Sequence, residues 1–478
     1  MLPRQNSIVM GFYFSPRGGS AQVARYLCRS LQSTHWSPVL FSGSLSASDD
    51  TDALQFFAGT DCRALDYSPA LAAWEGGSDP MELDRPIHAS YEDKTDVPDR
   101  IFFELDDAAY DSQVASWRRH FASMGGEPPS VIHLHHLTPM HEAVRLLWPQ
   151  VPVITHLHGT ELKMLANATQ PGVAVGRWTR QWVRRMKQWA TQSARIVTVS
   201  THDADLVQQL VPQVVGRVRV IGNGVDTDIF QPQLRSAAQR RASWQRWLVD
   251  DPRGWSTDGG PGSVRYTIDD LDAFVDDRGN AVPVVLFAGR FMAFKRLSLL
   301  IEAHHRARIE SGARSVLVVV GGFPGEWEGE HPLDTVTRLG VPDVFFAGWR
   351  SHAELAEFLA CSDVFAAPSF NEPFGLVYLE AMAAGIPPIA TNVGGPPTFI
   401  NTIAGTPNGW LIEPDDLGAL TSVLIEATSH PAERTTRGLS ACRFVNDHYS
   451  WSRSATVFAD LYAEVAAESA DTPSKGVA

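Results

Sequence analysis

Two glutamates, Glu372 and Glu380, stand eight positions apart on either side of a Pro-Phe-Gly turn in FNEPFGLVYLEAMAAG (370–385). The small apolar residues around Glu380 repeat at helical spacing, which puts one carboxylate at the helix mouth and the other two turns along it. Asn371 or Glu372 is placed to cap that helix, with Pro373 in its first turn. Capping accounts for one acid and leaves the other unexplained. Two carboxylates at this spacing can accept hydrogen bonds from hydroxyls at separate parts of one elongated ligand. The main-chain N–H groups of Phe374, Gly375 and Leu376 would face an anion or a polyol at the same helix end. Sugar hydroxyls at one end and ribose hydroxyls at the other meet that demand.

The cations such a ligand calls for lie upstream. GRFMAFKR (289–296) sets Arg290 just after an apolar strand pattern and Lys295 five residues on. Fixed cations at a strand end suit a diphosphate whose charge grows as a bond to it breaks. Read alone, the segment is a solvated basic loop. The loop Ser15-Pro16-Arg17-Gly18-Gly19-Ser20 joins the first strand pattern to the first helix pattern. Its glycines let main-chain N–H groups approach an anion, or simply make a tight turn. It is neither GxGxxG nor a Walker loop, which lowers the nicotinamide and ATP readings.

VITHLHGTELK (153–163) brings His156, His158, Glu161 and Lys163 to the end of another strand pattern. A histidine there can donate a hydrogen bond to a sugar or stabilise developing charge. With His133, His135 and His136 upstream the region looks rich in zinc ligands. No HExxH is present, however, and residues i and i+2 of a strand share a face without specifying further ligands. The histidines at 133–136 are therefore read as packing residues. Asp203/Asp205, Asp226/Asp228 and Asp270/Asp272 form DxD pairs that the abundance of aspartate explains by chance. No metal site is assigned.

Composition narrows the class. The 478 residues carry 54 acidic against 40 basic side chains, a net charge of −14, which argues against a nucleic-acid partner. Four scattered cysteines, Cys28, Cys62, Cys361 and Cys442, suggest no disulfide framework and fit a reducing cytoplasm. The N-terminal apolar run is too short for a signal peptide, and no stretch approaches the ~18 apolar residues of a membrane span.

The elements that must position these residues repeat in two series. Residues 7–230 alternate apolar runs (SIVMGFYF, PVLFSG, VIHLHH, PVITHLHG, RIVTVS, VRVIGNG) with helical patterns, as parallel strands with crossover helices do. A second series runs from VPVVLFAGR to GWLIEP. The expected architecture is α/β: two Rossmann-like doubly wound domains facing across a cleft, with ligand at the strand ends. Boundaries are set at 1–230 and 281–449, with 231–280 an insertion or linker and 471–478 a disordered tail. A helix at about 450–470 returns to the first domain. Residues 44–100 read as loops or an elaboration. The helix RWTRQWVRRMKQW (177–189) interleaves basic residues with tryptophan, as a membrane-facing helix does, though a surface helix with partly buried tryptophans is favoured.

In this order the Gly18-Gly19 loop, HLHGTE, VIGNGVDTDIF, GRFMAFKR, FAGWRSHAELAEFLACSDVFAAPS and EPFGLVYLEAMAAG resemble the retaining glycosyltransferases of family 4, which have the GT-B fold. The E-x7-E unit is the most specific element. The resemblance implies that Glu380 binds the donor ribose and Glu372 a hydroxyl of the donor sugar. Phe374, Gly375 and Leu376 contribute main-chain contacts, and Arg290 and Lys295 bind the diphosphate. Gly18 and Gly19 lie near the leaving group, and Trp349 and Arg350 by the nucleotide base. His158, rather than His156, approaches the sugar, with Thr160, Glu161 and Lys163 toward the acceptor.

The resemblance further implies transfer from a nucleoside-diphosphate sugar, UDP or GDP, to a small soluble acceptor, without metal or other cofactor, the departing phosphate taking the acceptor proton. Relatives often carry glycine after the loop lysine, where this chain has Arg296. A phosphorylase or disaccharide synthase on the same scaffold, and a catalytically silent sugar-binding protein, are the rival readings.

Overall fold

The computed structural model describes residues 6–46, 51–92, 97–170, 172, 176–403 and 405–471. The expected tail at 471–478 therefore lies, apart from the backbone of Asp471, outside the described residues. The chain divides into two compact units, 1–224 with 451–478, and 225–450.

The first unit holds seven parallel strands: β1 (Asn6–Phe12), β2 (Trp36–Ser44), β3 (Asp61–Asp66), β4 (Val131–His135), β5 (Val153–Leu157), β6 (Arg195–Thr198) and β7 (Val218–Val220). Their order is β3-β2-β1-β4-β5-β6-β7, so the winding reverses between β1 and β4. Strands covered on both faces read as largely apolar runs, as the IVMGF of β1 does, whereas β4 (VIHLH) and β5 (VITHL) carry buried histidines within theirs. β3 is not such a run. It is an edge strand, mostly half-exposed, with the polar sequence DCRALD, and it lies inside the stretch expected to be loops.

The helix Trp451–Asp471 belongs to this unit. Trp451 stacks on Tyr26 at 5.6 Å, Trp36 Nε1 donates to the Ala459 carbonyl, and Arg195 pairs with Glu464 and Glu468 at 2.5 Å each. The basic helix Arg177–Gln192 buries Trp182 and Trp189 in the core, and Trp182 Nε1 donates to the Leu105 carbonyl at 2.9 Å. Its tryptophans are thus packing residues. No helix among the described residues is long and apolar enough to cross a membrane.

The second unit holds six parallel strands: β8 (Val284–Ala288), β9 (Val316–Val320), β10 (Val344–Gly348), β11 (Val364–Ala366), β12 (Pro388–Thr391) and β13 (Trp410–Ile412), ordered β10-β9-β8-β11-β12-β13. The segment 233–280 is folded into it. Ser236 and Gln239 close a capping box on the helix Ala237–Gln245, Trp247 stacks on Phe358 at 3.9 Å, and Trp255 stacks on Phe291 at 5.4 Å.

Candidate active site

Doubly wound sheets take ligands beyond the carboxyl ends of their strands, where the winding reverses. In the second unit those ends are β8 and β11, and the segments leaving them carry the expected donor residues. After β8 the chain passes Arg290, half-buried, and turns through Ala293–Lys295. Lys295 Nζ forms an ion pair with Glu372 Oε2, with side-chain exposures of only 13% and 12%. At that depth water screens the pair poorly, and removing either partner strands a charge.

The expected helix cap at Glu372 is not formed. The helix runs Leu376–Ala383, its N-cap is Gly375 in a left-handed conformation (φ 88°), and no side chain caps it. Pro373 precedes the helix instead of occupying its first turn. The reason lies in Glu372 itself: its main chain bridges to Gly394, its carbonyl accepts from Gly395 N at 2.7 Å, and its carboxylate turns to Lys295. A Cβ at position 375 would come within 2.4 Å of the Tyr378 ring and 3.1 Å of Glu372 Cγ, so glycine is needed there. Phe374 is buried against Phe399, and Leu376 is half-exposed.

Glu380, buried on the same helix, has His352 Nε2 2.7 Å from its Oε1. His352 opens the helix His352–Ala360, and Phe230 packs edge-on against its ring at 4.9 Å. It is a member of the site that sequence reasoning passed over. The signal was there, three residues after Trp349, but no spacing rule links positions 352 and 380.

Trp349 is half-buried beyond β10 with its ring 5.5 Å from Phe323. Arg350, expected beside the base, has a fully buried side chain. Its guanidinium donates to Asp251 Oδ2 at 2.6 Å, to the Asp251 carbonyl at 2.6 Å and to the Trp247 carbonyl at 2.9 Å. It pins the 247–251 segment, and burial pushes its pKa below the usual guanidinium value despite Asp251. Only its main chain remains for a ligand.

In the first unit, Gly18 opens the helix Gly18–Leu31 with φ 73°, a left-handed conformation suited to glycine. Gly18 and Gly19 are both exposed. Beyond β5, His158 is half-buried, with Nε2 2.9 Å from His135 Nδ1. Burial and the surrounding imidazoles hold its pKa well below the ordinary value, so it is neutral at pH 7. Thr160 begins the helix Thr160–Ala168, and Lys163 is exposed on it.

Glu161 was expected toward the acceptor but is completely buried. One oxygen accepts the His158 main-chain N–H at 2.9 Å and the other meets His136 Nδ1 at 3.2 Å. Its role is to fix the His158 turn.

His133, His135 and His156 are buried and neutral, their pKa values driven well down by desolvation. One ring nitrogen from each lies within 4.8 Å of the others. A tetrahedral ion with ligands at about 2.0–2.1 Å needs nitrogens roughly 3.4 Å apart. The His133 and His135 rings stack nearly parallel, with centroids 4.8 Å apart and 16° between their planes. Several of their nitrogens, including both of His156, find no hydrogen-bond partner among the described residues.

Residues 17–229 match the family model described as Glycosyltransferase Family 4, and residues 273–438 the model described as Glycosyl transferases group 1. The chain is 30% identical over 275 residues to a D-inositol 3-phosphate glycosyltransferase of Streptosporangium roseum, covering 56% of this chain and 54% of that protein. It thus spans about half the length of that curated relative. Among solved structures it resembles a sucrose-phosphate synthase from Thermosynechococcus elongatus (TM-score 0.67, 20% identity, 97% of this chain and 100% of that one). It also resembles the catalytic domain of starch synthase IV from Arabidopsis thaliana bound to ADP and acarbose (TM-score 0.64, 16% identity, 97% and 99%). At these identities the likeness to solved structures is one of fold. Matched by a glycosyltransferase model in each of two parallel α/β units, the chain belongs to the family 4 glycosyltransferases and has the GT-B fold.

Proposed function

We propose that the chain is a retaining glycosyltransferase that moves a sugar from a nucleoside diphosphate, UDP or GDP, to a small soluble acceptor. The observation that carries this reading is the arrangement on the helix Leu376–Ala383. Glu372 is tied to Lys295 just before it and Glu380 to His352 within it, which supplies two carboxylates with separate partners for the two ends of one nucleotide sugar.

In this reading Lys295 and Arg290 bind the diphosphate, Glu380 accepts from ribose hydroxyls, and Glu372 accepts from a sugar hydroxyl. The acceptor oxygen bonds to the anomeric carbon as the bond from that carbon to the phosphate oxygen breaks. The departing oxygen takes the acceptor proton, and configuration is retained. Neutral His158 donates a hydrogen bond and never needs to carry the proton. Lys295 and Arg290 offset the charge that grows on the diphosphate, so the chemistry asks for no metal and no other cofactor. A small soluble acceptor, as opposed to an anionic lipid surface, is in keeping with the acidic chain, and the scattered thiols are in keeping with the cytoplasm.

The test is a thermal-shift and turnover screen of UDP, GDP, ADP and TDP sugars, with the anomeric configuration of the product read by NMR. Stabilisation by one nucleotide class and a retained product support the reading. Stabilisation by none, or an inverted product, refutes it.

A further inference from the structure

Only five described non-glycine residues have a positive φ, and three of them, Arg296 (53°), Asn371 (60°) and Asp415 (58°), flank the Lys295–Glu372 pair in sequence or bond to a residue that does. Left-handed backbone carries a steric cost for side-chain-bearing residues, and such residues collect where surrounding structure holds them for a purpose. Here the holding is explicit. Arg296 Nε donates to Asp415 Oδ1 at 2.6 Å and its Nη2 to Oδ2 at 3.0 Å, a two-pronged pair in the geometry guanidinium and carboxylate favour. Arg296 Nη1 donates back to the Ala293 carbonyl at 3.1 Å, closing the turn that carries Lys295. The same guanidinium lies 5.5 Å from the Phe370 ring, and Phe370 N donates to the Phe294 carbonyl at 2.6 Å. One side chain therefore ties together the Lys295 turn, the segment leading into Glu372 and the loop after β13.

We propose that Arg296 and Asp415 form a latch that positions Lys295 and Glu372 for the donor diphosphate and sugar. Arg296 is a positioning residue: its guanidinium is engaged by Asp415 and Ala293, and it acts through its neighbour in the chain. A glycine at 296 would take the backbone conformation without steric cost, but could make none of the three side-chain contacts. Local stability and site geometry are thereby separable. The inference rests on the second unit's being the donor site.

The experiment compares the full chain with Arg296→Gly, Arg296→Lys and Asp415→Asn by melting temperature, calorimetric donor affinity and steady-state kinetics, after donor binding by the wild type is established. The latch predicts that Arg296→Gly melts at or above the wild-type temperature, yet binds donor about ten- to a hundredfold more weakly. Asp415→Asn should show the same loss, and Arg296→Lys, keeping one charged contact, should recover part of it. Wild-type donor affinity in both Arg296→Gly and Asp415→Asn overturns the latch while leaving the donor reading intact. Losses that merely follow a fall in melting temperature overturn it too. A wild type that binds no nucleotide sugar sinks the donor reading and the latch with it.

Discussion

Glu380 Oε1 and His352 Nε2 lie 2.7 Å apart, the carboxylate buried on one helix and the imidazole at the start of another. The contact engages one carboxylate oxygen, and in the proposed reading the second accepts from a ribose hydroxyl. Glu380→Ala should abolish the preference for a ribonucleotide over its deoxyribose analogue. His352→Ala should weaken it, because the carboxylate loses the partner that orients it. Competition calorimetry with the paired nucleotides measures this, and an unchanged preference in Glu380→Ala rejects the ribose contact.

The ion pair of Lys295 with Glu372 makes two further substitutions informative. A charged hydrogen bond lost from such a site costs about 1.5–3 kcal/mol, so Lys295→Ala should weaken nucleoside-diphosphate binding about ten- to a hundredfold. Glu372→Ala should instead depress turnover, by about a hundredfold, while circular dichroism shows the fold intact. Equal diphosphate affinity in Lys295→Ala would contradict its role as the diphosphate cation.

Stability should respond to pH through the buried histidines. His133, His135, His156 and His158 have folded-state pKa values well below 6.5, so below about pH 6.5 the unfolded chain binds more protons than the folded one. Their contribution is complete above that pH and is lost as pH falls, by at most ~1.4 kcal/mol per pH unit for each. Asp203 works in the opposite direction. Burial, with Glu161 nearby, raises its pKa to about 7, so its contribution is complete below about pH 4 and declines as pH rises to about 7. Melting temperature should therefore fall steeply below pH 6.5, and more steeply still in Asp203→Asn, which removes the opposing slope. A melting temperature flat from pH 6.5 to 4 in both proteins would refute this assignment of protons.

Metal dependence is tested directly. Transfer should persist in excess EDTA, since Lys295 and Arg290 supply the charge at the diphosphate in the proposed chemistry. Abolition by EDTA with recovery on adding Mg2+ or Mn2+ would overturn the metal-free proposal.

The sequence by itself determined the two alternating series, because strands buried on both faces are dominated by apolar residues that stand out between helical patterns. It also determined the pairing of EPFG with a downstream glutamate, because those residues are local. Interactions within one turn or one strand end are readable from spacing. Tertiary structure alone decided what the side chains meet. Glu372 gives up its capping position because a lysine 77 residues away in sequence competes for its carboxylate. Arg350 and Glu161 are ionisable residues in motif positions, and nothing in their neighbourhoods foretold that distant main-chain and side-chain partners would bury them. His352 and Asp415 join the site only through folding, because a parallel sheet gathers strand ends that the sequence keeps tens of residues apart.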